Sequence, residues 1–147
     1  MGSFELGTDG PGAIVVGVDG TPTSMRAAAY AAGLARRQRT KLYAVHARSA
    51  PTTLITLADH SGIAINAVLQ AQEELETHLR EELGGWGADV ELIVRVGDPL
   101  TVLSEVAKET RADAVVVGSS ASVGHRIAGS LAIRLVRGGR WPVTVVP

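Results

Sequence analysis

Five short apolar runs punctuate the chain, with longer mixed segments between them. Ala13-Ile14-Val15-Val16-Gly17-Val18 contains no polar side chain, the pattern of a strand covered on both faces. Leu42-Tyr43-Ala44-Val45-His46-Ala47 predicts a second strand, Val90 to Val96 a third, Ala114 to Val117 a fourth, and Val143-Thr144-Val145-Val146 a fifth. In the third run polar and apolar positions alternate, which puts Glu91 and Arg95 on one face.

The segments between these runs read as helices. Thr21-Pro22 pairs an N-cap residue with proline at the first helical position. Met25, Ala28, Ala29, Ala32 and Ala35 follow, small enough for close approach to a sheet, and Arg36, Arg37 and Arg39 suit the negative end of the helix dipole. After an irregular connection from Arg48 to Gly62, a long helix is predicted over about 63–83. Leu75, Leu79 and Leu83, with Val68 in line, form its apolar stripe, and Glu73, Glu74, Glu81 and Glu82 mark its wet side. Gly84-Gly85 stops it. Asp98-Pro99 opens a helix through Leu103, Val106 and Ala107, and a last helix runs from about Ser130 to Arg137.

This order, β-α-β-α-β-α-β-α-β, leaves room for a helix in every crossover. It dictates the α/β class: an open five-stranded parallel sheet, right-handed connections and helices on both faces. In such sheets the ligand crevice lies at the carboxyl ends of the strands, where strand order reverses. Strands one and four are the most apolar and are expected to be neighbours there. Their ends carry Asp19 and Gly118, so both are expected to border one crevice.

Composition narrows the class. With 147 residues the chain fits one domain, residues 13–147, preceded by a Gly-rich segment over 1–12 that reads as a flexible tail. A hydrophobic content of 46% against 20% charged argues against wholesale disorder, and 3% aromatic residues mean that aliphatic side chains must build the core. A net charge of −1 provides no general attraction for nucleic acid or an anionic membrane. The lack of cysteine excludes disulfides and thiolate chemistry and fits a reducing, cytoplasmic setting. No apolar run reaches the length of a membrane span, and the first dozen residues lack a signal-peptide pattern.

Candidate chemistry centres on Gly118-Ser119-Ser120-Ala121-Ser122-Val123-Gly124-His125-Arg126-Ile127-Ala128-Gly129-Ser130. An apolar strand, a loop of small residues and a helix start can cradle phosphate with backbone N–H groups. The same loop can be a plain connection, though it exceeds the roughly 2–6 residues usual for βα loops. Ser130 suits either a phosphate contact or a helix cap. His125 and Arg126 are candidate cationic partners, or solvated loop residues. A β-branched side chain at Gly118 is expected to block the phosphate path and leave the fold intact. Asp19 can accept from a ribose or base, or serve as the turn residue of Asp-Gly. His46 ends strand two and either lines the crevice or is an ordinary strand-end residue. His60 and His78 sit in separate elements, without metal-ligand spacing.

Several motifs are excluded. A P-loop needs lysine, and Lys41 and Lys108 both lie outside the loop. Gly17-Val18-Asp19-Gly20 lacks the dinucleotide spacing, Asp98 reads as a cap and not a phosphoacceptor, and no nucleophile elbow is present. Arg134, Arg137 and Arg140 form a stripe that reads first as a solvated face. No catalytic residue is assigned; a base for any hydrolysis would have to be His125. Val143 to Val146 is expected at a sheet edge, where it invites pairing with a second copy.

These features together resemble the universal stress protein family over nearly all of Ala13 to Pro147. They are Val18-Asp19-Gly20, the Val96-Gly97-Asp98-Pro99 junction, the Asp113-to-Val117 strand entering Gly118-Ser119, Gly129-Ser130, and the closing Pro142-Val143-Thr144-Val145-Val146. The resemblance implies a Rossmann-like, adenine nucleotide α-hydrolase-like sheet of order 3-2-1-4-5. It also implies a stress-linked regulatory protein that binds ATP or another adenine nucleotide, with Mg as an optional companion, and a homodimer formed through the final strand. Nucleotide-binding members carry Gly-x-x-Gly, nine residues, then Gly-Ser/Thr. Here Gly118 matches the first glycine and Gly129-Ser130 the closing pair. Ala121 replaces the second glycine, seven residues separate it from Gly129, and Gly124 is displaced. The shorter arc allows a smaller nucleotide, or a module that does not bind ATP. The counterparts of Asp19 and of the position near His46 are implied to contact the nucleoside and the adenine.

Overall fold

The computed structural model describes residues 12–49, 62–119 and 130–147. The tail before Gly12, most of the irregular connection, His60, and the loop positions Ala121, Gly124, His125, Arg126 and Gly129 lie outside those residues. The elements are β1 (Ala13–Gly17), α1 (Pro22–Gln38), β2 (Lys41–Arg48), α2 (Ile63–Gly84), β3 (Val90–Val96), α3 (Pro99–Glu109), β4 (Ala114–Gly118), α4 (Ser130–Gly138) and β5 (Val143–Val146). Every pairing is parallel and the sheet order is β3-β2-β1-β4-β5, as expected.

The unbroken apolar run of β1 has the predicted consequence. Ile14 and Val16 face a core shared with the α1 alanines and with Leu79 and Leu83 of α2. Val15 faces the opposite core, with Val102, Leu103 and Val106 of α3 and Ala132 and Leu135 of α4. One strand thus anchors two hydrophobic layers. Ala27, Ala28, Ala31, Ala32 and Ala35 are at most 1% exposed, and their short side chains let α1 lie close over β1 and β4. The helix starts are built as the dipeptides predict: Thr21 caps α1 by accepting from the Ser24 N–H, and Asp98 caps α3 by accepting from the Thr101 N–H.

Two features are absent from the sequence reading. Glu76 of α2 is buried, and its Oε1 accepts from Arg48 Nε at 2.9 Å and from Arg48 Nη2. Gln72 also donates to the Ser49 carbonyl at 3.1 Å, so α2 is tied to the carboxyl end of β2 by polar bonds as well as by leucines.

Gly118 corrects an expectation. A Cβ there would lie 2.6 Å from the Thr23 carbonyl oxygen and 2.9 Å from the Ser24 nitrogen. The glycine is demanded by the approach of β4 to the first turn of α1, so a side chain at 118 collides with backbone, and β4 or α1 must shift to admit it. Gly118→Ala is expected to lower unfolding stability by about 1–3 kcal/mol through overpacking. The reading is a lower urea midpoint at unchanged m-value, and a wild-type midpoint would contradict it.

Candidate functional site

The turn after β1 is built from its own side chains. Gly20 has φ +81°, a conformation that requires glycine, and a Cβ there would also push aside the tip of Leu75, whose Cδ1 lies 2.6 Å from that position. Asp19 Oδ1 accepts from the Thr21 hydroxyl at 2.6 Å and from the Thr21 N–H at 2.9 Å, an Asx-type turn. The Asp19 N–H donates to Ser24 Oγ at 3.1 Å, and that hydroxyl donates to the Thr21 carbonyl at 3.1 Å. Strand end, turn and first turn of α1 form one hydrogen-bonded unit.

This unit is one wall of a crevice of about 320 Å³, within the roughly 300–1,000 Å³ of small-molecule pockets. β1 contributes Gly17, and Val18 and Asp19 follow it; the start of α1 contributes Thr21, Thr23 and Ser24. Opposite lie Val117, Gly118 and Ser119 at the end of β4, and Ser130, Leu131 and Ala132 at the start of α4. Val45, Ala47, Pro99 and Leu103 give an apolar side. The starts of α1, α3 and α4 therefore all border one cavity. Each helix start carries partial positive charge; α1 and α3 open on proline and are capped by Thr21 and by the Asp98 carboxylate, so it is chiefly the start of α4 that suits an anionic group, next to the apolar side. Ser119 is held by its N–H, which donates to the Val146 carbonyl at 2.8 Å.

Of the residues singled out from sequence, Asp19, Gly118, Ser119 and Ser130 are brought together here. Ala121, Gly124 and Gly129 lie outside the described residues. His46 is not among the crevice-lining residues: it is buried, and its Nδ1 lies 2.9 Å from the Val18 carbonyl oxygen. The period of two along a strand explains this, because Val45 and Ala47 face the crevice and the residue between them faces the other layer. Thr21, Thr23, Ser24, Val45, Ala47, Pro99 and Leu103 were missed as site residues. Two signals pointed to some of them, the helix start at Thr21-Pro22 and its repeat at Asp98-Pro99. Arg134, Arg137 and Arg140 are exposed, with Arg134 3.6 Å from Asp98. Among the described residues no group of three His, Asp or Glu side chains could hold a metal ion, and no helix is long and apolar enough to cross a membrane.

Partial burial, the largest influence on Asp19, raises its pKa. The Thr21 hydroxyl and N–H, the Ser24 hydroxyl and the nearby His46 ring together outweigh it and hold the carboxyl below its ordinary value.

The family model described as the universal stress protein family matches residues 12–147. A universal stress protein of Methanocaldococcus jannaschii is 26% identical over 136 residues, covering 90% of this chain and 80% of that one. A universal stress protein of Mycobacterium tuberculosis is 34% identical over 139 residues, covering 90% of this chain but 44% of the relative, so the chain spans less than half of that protein. Among solved structures, a universal stress protein in complex with cAMP has a TM-score of 0.69 at 24% identity, covering 93% of this chain and 97% of that one. One from Archaeoglobus fulgidus in complex with dAMP has a TM-score of 0.63 at 24% identity, covering 91% and 96%. At these identities the likeness is one of fold.

The lowered Asp19 pKa has a definite sign. Its contribution to stability is fully present above the unfolded value of about 3.9 and is lost as pH falls through the lower folded value. Between about pH 5 and about pH 3, urea midpoints of the wild type should therefore fall further than those of Asp19→Asn, whose amide does not titrate. Parallel losses would contradict the assignment.

Proposed function

The chain belongs to the universal stress protein family, and from that premise we propose that it is a stress-linked regulatory protein binding an adenine nucleotide in the crevice between β1 and β4. The observation that carries the reading is the meeting of three helix starts and one carboxylate around a cavity with an apolar side. The ribose would lie at Asp19, with Oδ2, the oxygen outside the Thr21 bonds, accepting from a ribose hydroxyl. The phosphate would meet the first turn of α4, where the Ser130 hydroxyl and first-turn N–H groups can donate to it, with the Ser119 hydroxyl opposite. The adenine would rest between Val45, Ala47, Pro99 and Leu103; Val45 and Ala47 take the place first expected of His46. The cAMP and dAMP complexes of structural neighbours support an adenine ligand with a single phosphate.

On this reading the protein is a binder, and no residue is assigned a catalytic role. Among the described residues that line the crevice Asp19 is the one carboxylate, and its Oδ1 is already engaged, so a Mg ion would depend mainly on a longer nucleotide's phosphates for its ligands.

A homodimer through β5 is the companion reading. β5 is an outer strand of the sheet, and Val143, Val145 and Val146 are only half-buried. Its outer edge presents backbone donors and acceptors that a second β5 can pair.

Native mass spectrometry of the purified protein after addition of AMP tests both. The expected spectrum shows a dimer of twice the chain mass carrying AMP, and Asp19→Ala reduces the AMP-bound fraction, with apparent affinity about tenfold weaker for the loss of a charge-assisted bond. A dimer without AMP, or equal loading of Asp19→Ala, would overturn the nucleotide reading. A monomer that carries AMP would overturn the dimer alone.

A further inference from the structure

The β1–β2 ladder ends at the Gly17–Val45 pair and the β1–β4 ladder at Val16–Val116. Val18 lies just past both, yet it is 3% exposed. Its N–H donates to the Val45 carbonyl at 2.9 Å. Its carbonyl meets His46 Nδ1 at 2.9 Å. A carbonyl oxygen can only accept, so Nδ1 carries the proton of this bond. Without it, a buried carbonyl would be left unpaired at a cost the fold avoids.

The Val18 carbonyl belongs to the same planar peptide unit as the Asp19 N–H. That N–H donates to Ser24 Oγ at 3.1 Å. The unit is therefore held at both poles, by the β2 imidazole on one side and the α1 hydroxyl on the other. Orientation of this plane sets the direction in which the Asp19 Cα presents its carboxylate. His46 acts from the layer of Ala44 and Leu42, away from the crevice wall formed by Val45 and Ala47.

We propose that His46 is a positioning residue for the crevice: it fixes the Val18–Asp19 peptide from the far face of the sheet and so aims Asp19, without touching the ligand. The consequence for affinity rests on the nucleotide reading; the peptide clamp itself does not.

The test uses His46→Leu, His46→Asn and His46→Gln in the full chain. Leucine removes the donor. Asparagine places its amide nitrogen where imidazole Nδ1 sits, and glutamine carries the same amide one bond too far. Amide hydrogen exchange at Asp19 and Gly20 in ligand-free protein is read first, then AMP affinity by calorimetry. We expect His46→Leu and His46→Gln to speed exchange at Asp19 and weaken AMP binding about two- to tenfold, the worth of one hydrogen bond, with His46→Asn near wild type. Unchanged exchange in His46→Leu, or His46→Asn matching His46→Gln, would overturn the clamp. If His46→Leu fails to fold, the asparagine–glutamine contrast decides. A wild type that binds no AMP would overturn the nucleotide reading, while the exchange data still judge the clamp.

Discussion

Everything at the site depends on the reversal of strand order between β1 and β4. From β1 the chain crosses outward to β2 and β3, then returns to place β4 on β1's other side. The loops leaving these neighbours diverge to opposite faces, so the crossover of each leaves a gap that no side chain of the sheet fills. The helices that start beside it, α1, α3 and α4, turn the same ends toward it because all the strands are parallel. A single topological fact thus gives both the cavity and its electrostatic character.

The sheet also separates two tasks. One layer, with α1 and α2, is closed by alanines, by Leu79 and Leu83, and by the Arg48–Glu76 pair. The other, with α3 and α4, borders the crevice at the strand ends. Rigidity on the first side serves the second, because the turn that carries Asp19 emerges between them. Gly118 shows how little slack exists there: β4 approaches α1 so closely that even a methyl group meets backbone. This crowding keeps Asp19 and Ser119 on facing walls of one cavity.

The strands were legible because buried parallel strands are written as continuous apolar runs; the pairing of strands one and four was expected from their apolar character, and the full order 3-2-1-4-5 from the family resemblance. Asp19, Gly118, Ser119 and Ser130 were legible for the same reason, being the residues at which those runs end or the next helix begins. The orientation of His46 was not. A strand buried on both faces has no polar–apolar alternation to mark which face turns to the crevice, so the sequence left His46 open between lining it and being an ordinary strand-end residue. Glu76 was hidden by its place in a helix rich in solvated glutamates. Gly118 was found, but its demand comes from helix contact, which a one-dimensional reading cannot weigh against a ligand path.

The central claim is that an adenine nucleotide lies between Asp19 and the start of α4. Backbone amide chemical shifts followed by NMR during an AMP titration test it most directly. The account predicts that the largest changes fall on Asp19, Ser24, Ser119, Ser130 and Leu131, with small ones at β3 and the carboxyl end of α2. Saturating AMP that leaves those five amides unmoved, or moves mainly residues remote from the crevice, would contradict it.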